Sequence, residues 1–136
     1  MKNLVVDASV IIDLLSDPGG LGHSLAARLE GHDLHAPEYL AVEVANVLRK
    51  LRNSGLLSDG EASVALQGLW NLPIQWWAFE VLSPRAWQLG HTLTAYDAAY
   101  VALAERIDAP LVTGDRRLAR ASGPTCIIEV FDADPR

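Results

Sequence analysis

The sequence predicts an α/β fold in which a mostly parallel sheet is covered by helices on both faces. Short apolar segments alternate along the chain with segments of helical character, a pattern typical of parallel sheets joined by helices. The chain has 136 residues, of which 50% are hydrophobic and 21% charged, and this excludes a disordered protein. A chain of this length buries roughly two-thirds of its unfolded surface, enough for one core. We therefore expect one domain spanning residues 1–136.

The first half of the chain predicts two strands and four helices. Leu4–Val6 is short, apolar and rich in β-branched residues, so it predicts a strand that Asp7 stops. Gly55 ends the long third helix, and Ser58 with Glu61 forms the capping box of the fourth. In order, the later elements are a helix at 10–15, a loop at 17–20, a helix at 23–30, a strand at 33–36, a helix from 38 to about 53 and a helix from 58 to about 69.

The second half predicts three strands and three helices. A proline at the first helical position is favourable, so Ser83 and Pro84 predict a helix start. The elements are a strand at 74–81, the helix that starts at 83–84, a helix from 94 to about 107, a strand at 111–113, a short helix at 115–121 and a strand at 126–130. Asp7 and Asp115 therefore follow strand ends, the edge at which parallel sheets bind ligands.

Composition excludes several classes of protein. No apolar stretch approaches the ~20 residues of a membrane-spanning helix, and the three-residue apolar run before Asp7 predicts no signal peptide. Cys126 is the only cysteine, which excludes a disulfide framework and a cysteine-based zinc site. We expect a cytoplasmic protein. The net charge of 11 − 17 = −6 argues against a protein that coats nucleic acid with a basic face.

Four acidic residues carry the functional hypothesis, although each has an ordinary structural interpretation. Asp7 and Asp115 can cap the helices that follow them, and Asp97 completes a Thr-x-x-Asp capping pattern with Thr94. Glu43 borders the apolar stripe of its helix, with no cation three or four residues away. It is therefore either a solvated rim residue or a ligand.

Taken together, the four acids predict a divalent-metal site. Clustered carboxylates raise each other's pKa and stay ionised together only when cations neutralise them. Oxygen ligands suit Mg²⁺ or Mn²⁺, and two such ions can hold a scissile phosphate, activate a water and stabilise the leaving oxygen. Two divalent ions would bring the net charge from −6 to −6 + 4 = −2.

Two short basic runs follow these acids in the sequence and are candidate phosphate contacts. They are Arg49, Lys50 and Arg52 after Glu43, and Arg116, Arg117 and Arg120 after Asp115. A solvated helix face is the alternative interpretation of each run.

Four segments together are characteristic of one family. They are Val5-Val6-Asp7-Ala8-Ser9-Val10, Glu43-Val44-Ala45-Asn46-Val47-Leu48, Tyr96-Asp97-Ala98-Ala99-Tyr100-Val101-Ala102-Leu103-Ala104 and Leu111-Val112-Thr113-Gly114-Asp115-Arg116-Arg117-Leu118. On these segments, which span nearly the whole chain, the sequence resembles the PIN-domain ribonucleases, and within them the VapC toxins of bacterial toxin–antitoxin pairs.

The resemblance implies a PIN-like three-layer α/β/α sandwich and endonucleolytic cleavage of structured RNA (tRNA, rRNA or mRNA) with one or two Mg²⁺ or Mn²⁺ ions. It also implies a homodimer and a cognate VapB-like antitoxin that blocks the site. Ser9 and Thr113 match small polar positions that support the site. The acidic site implied by the family consists of Asp7, Glu43, Asp97 and Asp115, of which Asp7 and Asp97 are the surest metal ligands.

Tryptophan and histidine carry weaker signals. All four tryptophans lie within residues 54–92, where the resemblance is weakest, and we expect them to pack in the core. If Trp76 and Trp77 share a strand they face opposite ways, and one is then available to cover a partner surface. The four histidines lack the spacing of zinc ligands, so we expect surface or packing residues.

Three other functions compete with the metal-dependent ribonuclease. A phosphatase of the haloacid-dehalogenase type, with Asp7 as nucleophile, needs a second Asp two residues later, where Ser9 stands. A receiver domain needs adjacent acids and a Lys after a late strand, whereas the only lysines are Lys2 and Lys50. A catalytically silent PIN-like module that binds RNA or protein is disfavoured by the presence of all four acids, and metal-dependent RNA cleavage separates it from the enzyme.

Overall fold

The computed structural model describes residues 2–131, so Met1 and residues 132–136 of the predicted domain lie outside the description. The strands are β1 (Lys2–Val6), β2 (His32–Pro37), β3 (Ile74–Trp77), β4 (Leu111–Thr113) and β5 (Ile128–Val130). The helices are α1 (Ala8–Ser16), α2 (Leu21–Leu29), α3 (Leu40–Asn53), α4 (Asp59–Asn71), α5 (Phe79–Gln88), α6 (Ala95–Arg106) and α7 (Arg116–Arg120), with one turn of 3₁₀ helix at Leu89–His91.

The five strands form one parallel sheet between two layers of helices. Its strand order is β3-β2-β1-β4-β5. Helices α1 to α4 pack against one another, α5 packs against α6, and both α1 and α6 contact the sheet. Leu4, Val5 and Val6 are all buried, as expected for a strand covered on both faces. The predicted α/β/α sandwich with a parallel central sheet is therefore confirmed.

The strand order places a crevice between β1 and β4. The chain builds the sheet outward from β1 to β3 and then returns to add β4 on the other side of β1. Val5 pairs with Leu111 and Val6 pairs with Val112, so Asp7 comes to lie beside Thr113 at the carboxyl ends of the two strands. Open parallel sheets bind their ligands at such a reversal of strand order.

Most predicted elements are present, with ends shifted by one or two residues. The capping box of α4 is present: the Glu61 N–H donates to Ser58 Oγ at 3.1 Å, and the Ser58 N–H donates to Glu61 Oε1 at 2.8 Å. Within residues 2–131, no helix is long and apolar enough to cross a bilayer.

The prediction was wrong about β3 and α5, because the chain turns into a helix soon after Trp77. α5 begins at Phe79, within the segment predicted as strand, so Pro84 lies inside this helix and not at its first position. A proline leaves the carbonyl four residues earlier without a backbone donor. Here the Ser83 hydroxyl donates to that carbonyl, Glu80 O, at 3.0 Å, and the helix continues through Pro84.

Three of the four tryptophans lie at the surface, so the expectation of core packing was wrong for Trp70, Trp76 and Trp87, the last of which is 87% exposed. β3 is an edge strand, and Trp76 packs on Trp70 of α4 with ring centroids 6.1 Å apart instead of entering the core. Trp77 is partly buried and donates a hydrogen bond to His35. The neighbours Trp76 and Trp77 therefore face opposite ways, as predicted for a strand.

His35 is a buried packing residue of β2 that its partners hold in one tautomer. An indole N–H can only donate, so His35 Nδ1 accepts the 3.0 Å hydrogen bond from Trp77 Nε1. The ring proton then sits on Nε2, which donates to Asn3 Oδ1 at 3.0 Å. Protonation of Nδ1 would break the contact with Trp77, so the neutral ring is the form that fits this site.

We expect the pKa of His35 to lie below its ordinary value of 6.5, because burial disfavours the imidazolium more than nearby Asp33 favours it. A lowered folded-state pKa gives stability that is present above pH 6.5 and lost as the pH falls through the folded value. An NMR titration of the ring measures this pKa. Trp77→Phe should raise it, whereas Trp76→Phe should leave it unchanged. A His35 pKa at or above 6.5 would refute this account of the ring.

Candidate functional site

Asp7 ends β1 and lies buried in the crevice with both carboxylate oxygens oriented. Ser9 Oγ donates to Oδ1 at 2.6 Å, and Thr113 Oγ1 donates to Oδ2. The Val10 N–H also donates to Oδ1 at 3.2 Å, so Asp7 is the N-cap of α1 as well. Its capping role and its place in the crevice are therefore compatible.

Ser9 and Thr113 join the ends of β1 and β4. Each hydroxyl gives its proton to Asp7 and accepts a backbone N–H from the segment after β4: Gly114 to Ser9 at 2.9 Å, and Asp115 to Thr113 at 3.0 Å. A Cβ at Gly114 would lie 3.1 Å from Ser9 Oγ, so glycine leaves room for this contact. The two hydroxyls thus orient the Asp7 carboxylate and also hold the backbone of Gly114 and Asp115 in place.

Glu43, in the first turn of α3, is hydrogen-bonded to a different helix. The Tyr100 hydroxyl of α6 donates to Glu43 Oε1 at 2.6 Å. Glu43 has no cationic neighbour on its own helix, and its partner comes instead from α6. The available signal was that Tyr100 follows Asp97 by three residues and so lies on the same side of α6.

Asp97 lies half-buried in the first turn of α6. The Asp97 N–H donates to Thr94 Oγ1 at 3.2 Å, so Thr94 caps this helix as the Thr-x-x-Asp pattern predicts. The start of α6 places the Asp97 carboxylate within electrostatic reach of Asp7 and Asp115. As at Asp7, a helix start carries an acid into the crevice.

Burial and mutual repulsion raise the pKa of three of the four acids. Burial is the largest cause for Asp7, Glu43 and Asp97. Repulsion adds to it: Asp97 raises the pKa of Asp7, both of these raise that of Glu43, and Asp115 raises that of Asp97. Three carboxylates therefore share a region in which negative charge is unfavourable.

Asp115 differs because Arg117 neutralises it. Arg117 Nε and Nη2 donate to the two carboxylate oxygens at 3.2 and 2.8 Å, and the Arg117 N–H donates to Oδ1 at 2.9 Å. These bonds lower the pKa of Asp115. Within residues 2–131, no three His, Cys, Asp or Glu side chains are arranged to hold a metal ion as they stand. An ion that used Asp115 would therefore either share this carboxylate with Arg117 or displace Arg117 from it.

The two basic runs lie at different distances from the acids. The run at 49–52 occupies the last turns of α3, and seven residues of helical rise separate Glu43 from Lys50 by about 10 Å. Arg117 and Arg120 instead line a groove of about 410 Å³ together with Asp97. The second run is therefore the better placed to meet a phosphate at the acids.

We expect Mn²⁺ to raise the Tm more at about pH 7.5 than at about pH 5, because metal binding competes with protons. Folding raises the pKa of Asp7, Glu43 and Asp97, so these acids stabilise the metal-free fold when the pH lies below their ordinary pKa values. This stabilisation is lost as the pH rises through the raised pKa values of the folded state. An ion present at a concentration of about 100 times its Kd adds about 2.7 kcal/mol to the free energy of unfolding.

Thermal unfolding in Mn²⁺ and in EDTA, at both pH values, measures this difference. Equal increases in Tm at the two pH values, or no increase at either, would show that ionised acids of the crevice do not bind the ion.

The chain is similar to known proteins over most of its length. Residues 4–124 match the family model of the PIN domain. The chain is 40% identical over 128 residues to Ribonuclease VapC12 of Mycobacterium tuberculosis, covering 93% of this chain and 98% of that protein. It is 42% identical over 120 residues to Ribonuclease VapC3 of Pyrobaculum aerophilum, covering 85% and 92% respectively.

A solved structure shows the same fold. DNA-bound VapBC from Salmonella typhimurium aligns with a TM-score of 0.72 over 97% of this chain and 100% of the matched chain. At 13% sequence identity this likeness concerns the fold alone. The family match and the relatives at 40% identity show the family. The chain belongs to the PIN-domain family, in its group of VapC ribonucleases.

Proposed function

We propose that the protein is a metal-dependent endoribonuclease and the toxin of a toxin–antitoxin pair. The observation that carries the proposal is the convergence of four acids at the crevice between β1 and β4, in a chain whose relatives are named VapC ribonucleases. A catalytically silent module has no need to keep buried carboxylates in mutual repulsion, which costs folding free energy.

The donor chemistry of the acids in the crevice suits a divalent ion, although no three of them within residues 2–131 surround one as they stand. They offer only oxygen donors, which suit Mg²⁺ or Mn²⁺. The described hydrogen bonds to Asp7 and Glu43 are donated by neutral groups, namely hydroxyls and one backbone N–H. These donors do not neutralise the negative charge of either carboxylate. Asp7 and Asp97 would hold the principal ion, and Glu43 and Asp115 would complete its surroundings or hold a second one. A bound ion activates water and stabilises the leaving oxygen.

The chain's own residues orient this site. Ser9 and Thr113 hold Asp7, and Tyr100 holds Glu43, so two acids keep fixed positions before RNA arrives. Glu43 and Asp115 would orient the attacking water against the phosphate. Hydrolysis of this kind leaves 3′-hydroxyl and 5′-phosphate ends.

The proposed partners are a VapB-like antitoxin and a second copy of the chain. The support is the likeness of the fold to VapBC from Salmonella typhimurium, together with the membership in the VapC group. An antitoxin that covers the crevice would keep the nuclease inactive until it is removed, so activity must be measured on protein freed of any partner.

Cleavage of total cellular RNA by the purified protein tests the proposed function. With Mg²⁺ or Mn²⁺ we expect cuts at few positions, with ligatable 5′-phosphate ends, and no cuts in EDTA. If neither metal supports cleavage of any RNA, the catalytic claim fails, and a binding module becomes the better interpretation of the crevice.

A further inference from the structure

Tyr39 and Tyr96 form an exposed aromatic pair between α3 and α6. Their ring centroids are 4.9 Å apart and the ring planes are inclined by 36°. Tyr39 immediately precedes α3, and Tyr96 lies in the first turn of α6. The two residues are 43% and 53% exposed, so large parts of both rings remain accessible to a ligand.

Helical spacing places this pair next to the acids. Tyr39 precedes Glu43 by four residues, and Tyr96 precedes Tyr100 by four, so each pair shares one face of its helix. The two helices therefore meet in successive contacts: Tyr39 with Tyr96, and then Glu43 with Tyr100 at 2.6 Å. One helical turn of about 5.4 Å separates the aromatic contact from the one that contains the Glu43 carboxylate.

We propose that Tyr39 and Tyr96 are a stacking platform for an unpaired nucleobase adjacent to the phosphate held at the acids. This proposal rests on the ribonuclease function proposed above and names a determinant of its substrate. Acids and metal can position a phosphate but cannot select an unpaired base. Aromatic rings bind the faces of bases that have left a helix, and a paired base does not present its face.

The surroundings favour RNA over a protein partner at this pair. Asp97 follows Tyr96 directly and is close enough to Arg117 for that charge to act on it. Arg117 and Arg120 line the groove that Asp97 also lines. Aromatic rings that can stack on a base and guanidinium groups that can bind its phosphates therefore both lie near Asp97.

The test uses substitutions that separate stacking from apolar contact. Tyr39→Leu and Tyr96→Leu remove the ring but keep an apolar side chain, whereas the two Phe variants keep the ring and remove the hydroxyl. Trp70→Leu is the matched control, because Trp70 belongs to another exposed aromatic pair, on α4 and β3. The probe is a short single-stranded RNA that spans a wild-type cleavage position, with 2-aminopurine beside the cut phosphate.

We expect each Leu variant to raise KM by about 5- to 150-fold, since one stacked base contributes about 1–3 kcal/mol, with a much smaller change in kcat. The Phe variants, which keep the ring, should raise KM less than the Leu variants do, and Trp70→Leu should stay within about twofold of the wild-type KM. The quenching of 2-aminopurine on binding should disappear in the Leu variants alone. Thermal unfolding of each variant verifies that the fold is kept.

A wild-type KM in both Leu variants would overturn the platform while leaving the nuclease intact. Unchanged RNA binding with lost antitoxin binding would also overturn it and assign the pair to a protein interface. If the wild-type protein cleaves no RNA, the proposed function fails by itself. Fluorescence anisotropy of a short single-stranded RNA of mixed sequence, compared between the wild-type, Leu and Phe proteins, then still decides whether the rings bind a base.

Discussion

Asp97→Asn is expected to reduce metal-dependent RNA cleavage by at least about 100-fold while the protein remains folded. The substitution keeps the size and shape of the side chain but removes the charge that would bind the principal ion, and an ion contributes several kcal/mol to the stabilisation of developing charge. Asp97 is only half-buried. Among the described hydrogen bonds, its carboxylate caps no helix, because Thr94 is the N-cap of α6. Rates measured on RNA in Mg²⁺ and in EDTA test this expectation.

The same variant has a second, opposite effect on stability. Because burial and Asp115 raise the pKa of Asp97, its ionised form destabilises the metal-free fold, and the neutral amide should raise the Tm in EDTA near neutral pH. The increase of Tm on adding Mn²⁺ should become smaller. Asp108→Asn, beyond the far end of α6, is the control: Asp108 has a φ of 52°, a conformation that Asn also tolerates. Wild-type cleavage by Asp97→Asn would mean that the activity belongs to a contaminant or to another site.

Leu111→Ala is expected to lower the free energy of unfolding by about 3–5 kcal/mol, as large-to-small changes in cores do. Leu111 is fully buried in β4, between Val5 of β1 and Ile128 of β5. Removal of its side chain leaves a cavity between the sheet and the helices that cover β4, α1 and α6. Urea unfolding monitored by circular dichroism measures the loss.

An exposed apolar residue beside the same strands provides the control. Ile127 immediately precedes β5 and lies at the surface, so Ile127→Ala should change the free energy of unfolding by less than about 0.5 kcal/mol. A loss below about 1 kcal/mol for Leu111→Ala would contradict the central position of β4. Such a result would also weaken the account of the site, because β4 carries Thr113 to Asp7.

The parallel sheet could be predicted because its strands are short apolar runs bounded by polar residues. The junction of β3 and α5 could not, because β-branched and aromatic residues such as Phe79 and Val81 suit a strand locally. Their conformation is decided by the tertiary packing of Leu82 and Ala86, which are buried at helical spacing. The tryptophans were misplaced for a related reason: composition favours burial, whereas the edge position of β3 leaves Trp76 at the surface.

The candidate site was predictable where the strand ends alone determine it. Asp7 and Asp115 follow strands that turned out to be neighbours. Contacts between helices were not predictable in this way, because Glu43 and Tyr100 are 57 residues apart and meet only in the folded chain. The contact of Tyr39 with Tyr96 likewise forms only when the starts of α3 and α6 come together, so nothing in the sequence pattern assigned a role to this pair.

Mn²⁺ binding measured by electron paramagnetic resonance tests most directly whether the acids of the crevice bind a divalent metal ion. The signal of free Mn²⁺ falls as the ion binds, so titration of EDTA-treated, dialysed protein counts the sites without any RNA. We predict saturable binding of one or two ions per chain, strongly weakened by Asp97→Asn and unchanged by Asp108→Asn. No saturable binding to the wild-type protein at millimolar Mn²⁺, or equal binding by Asp97→Asn, would contradict the account.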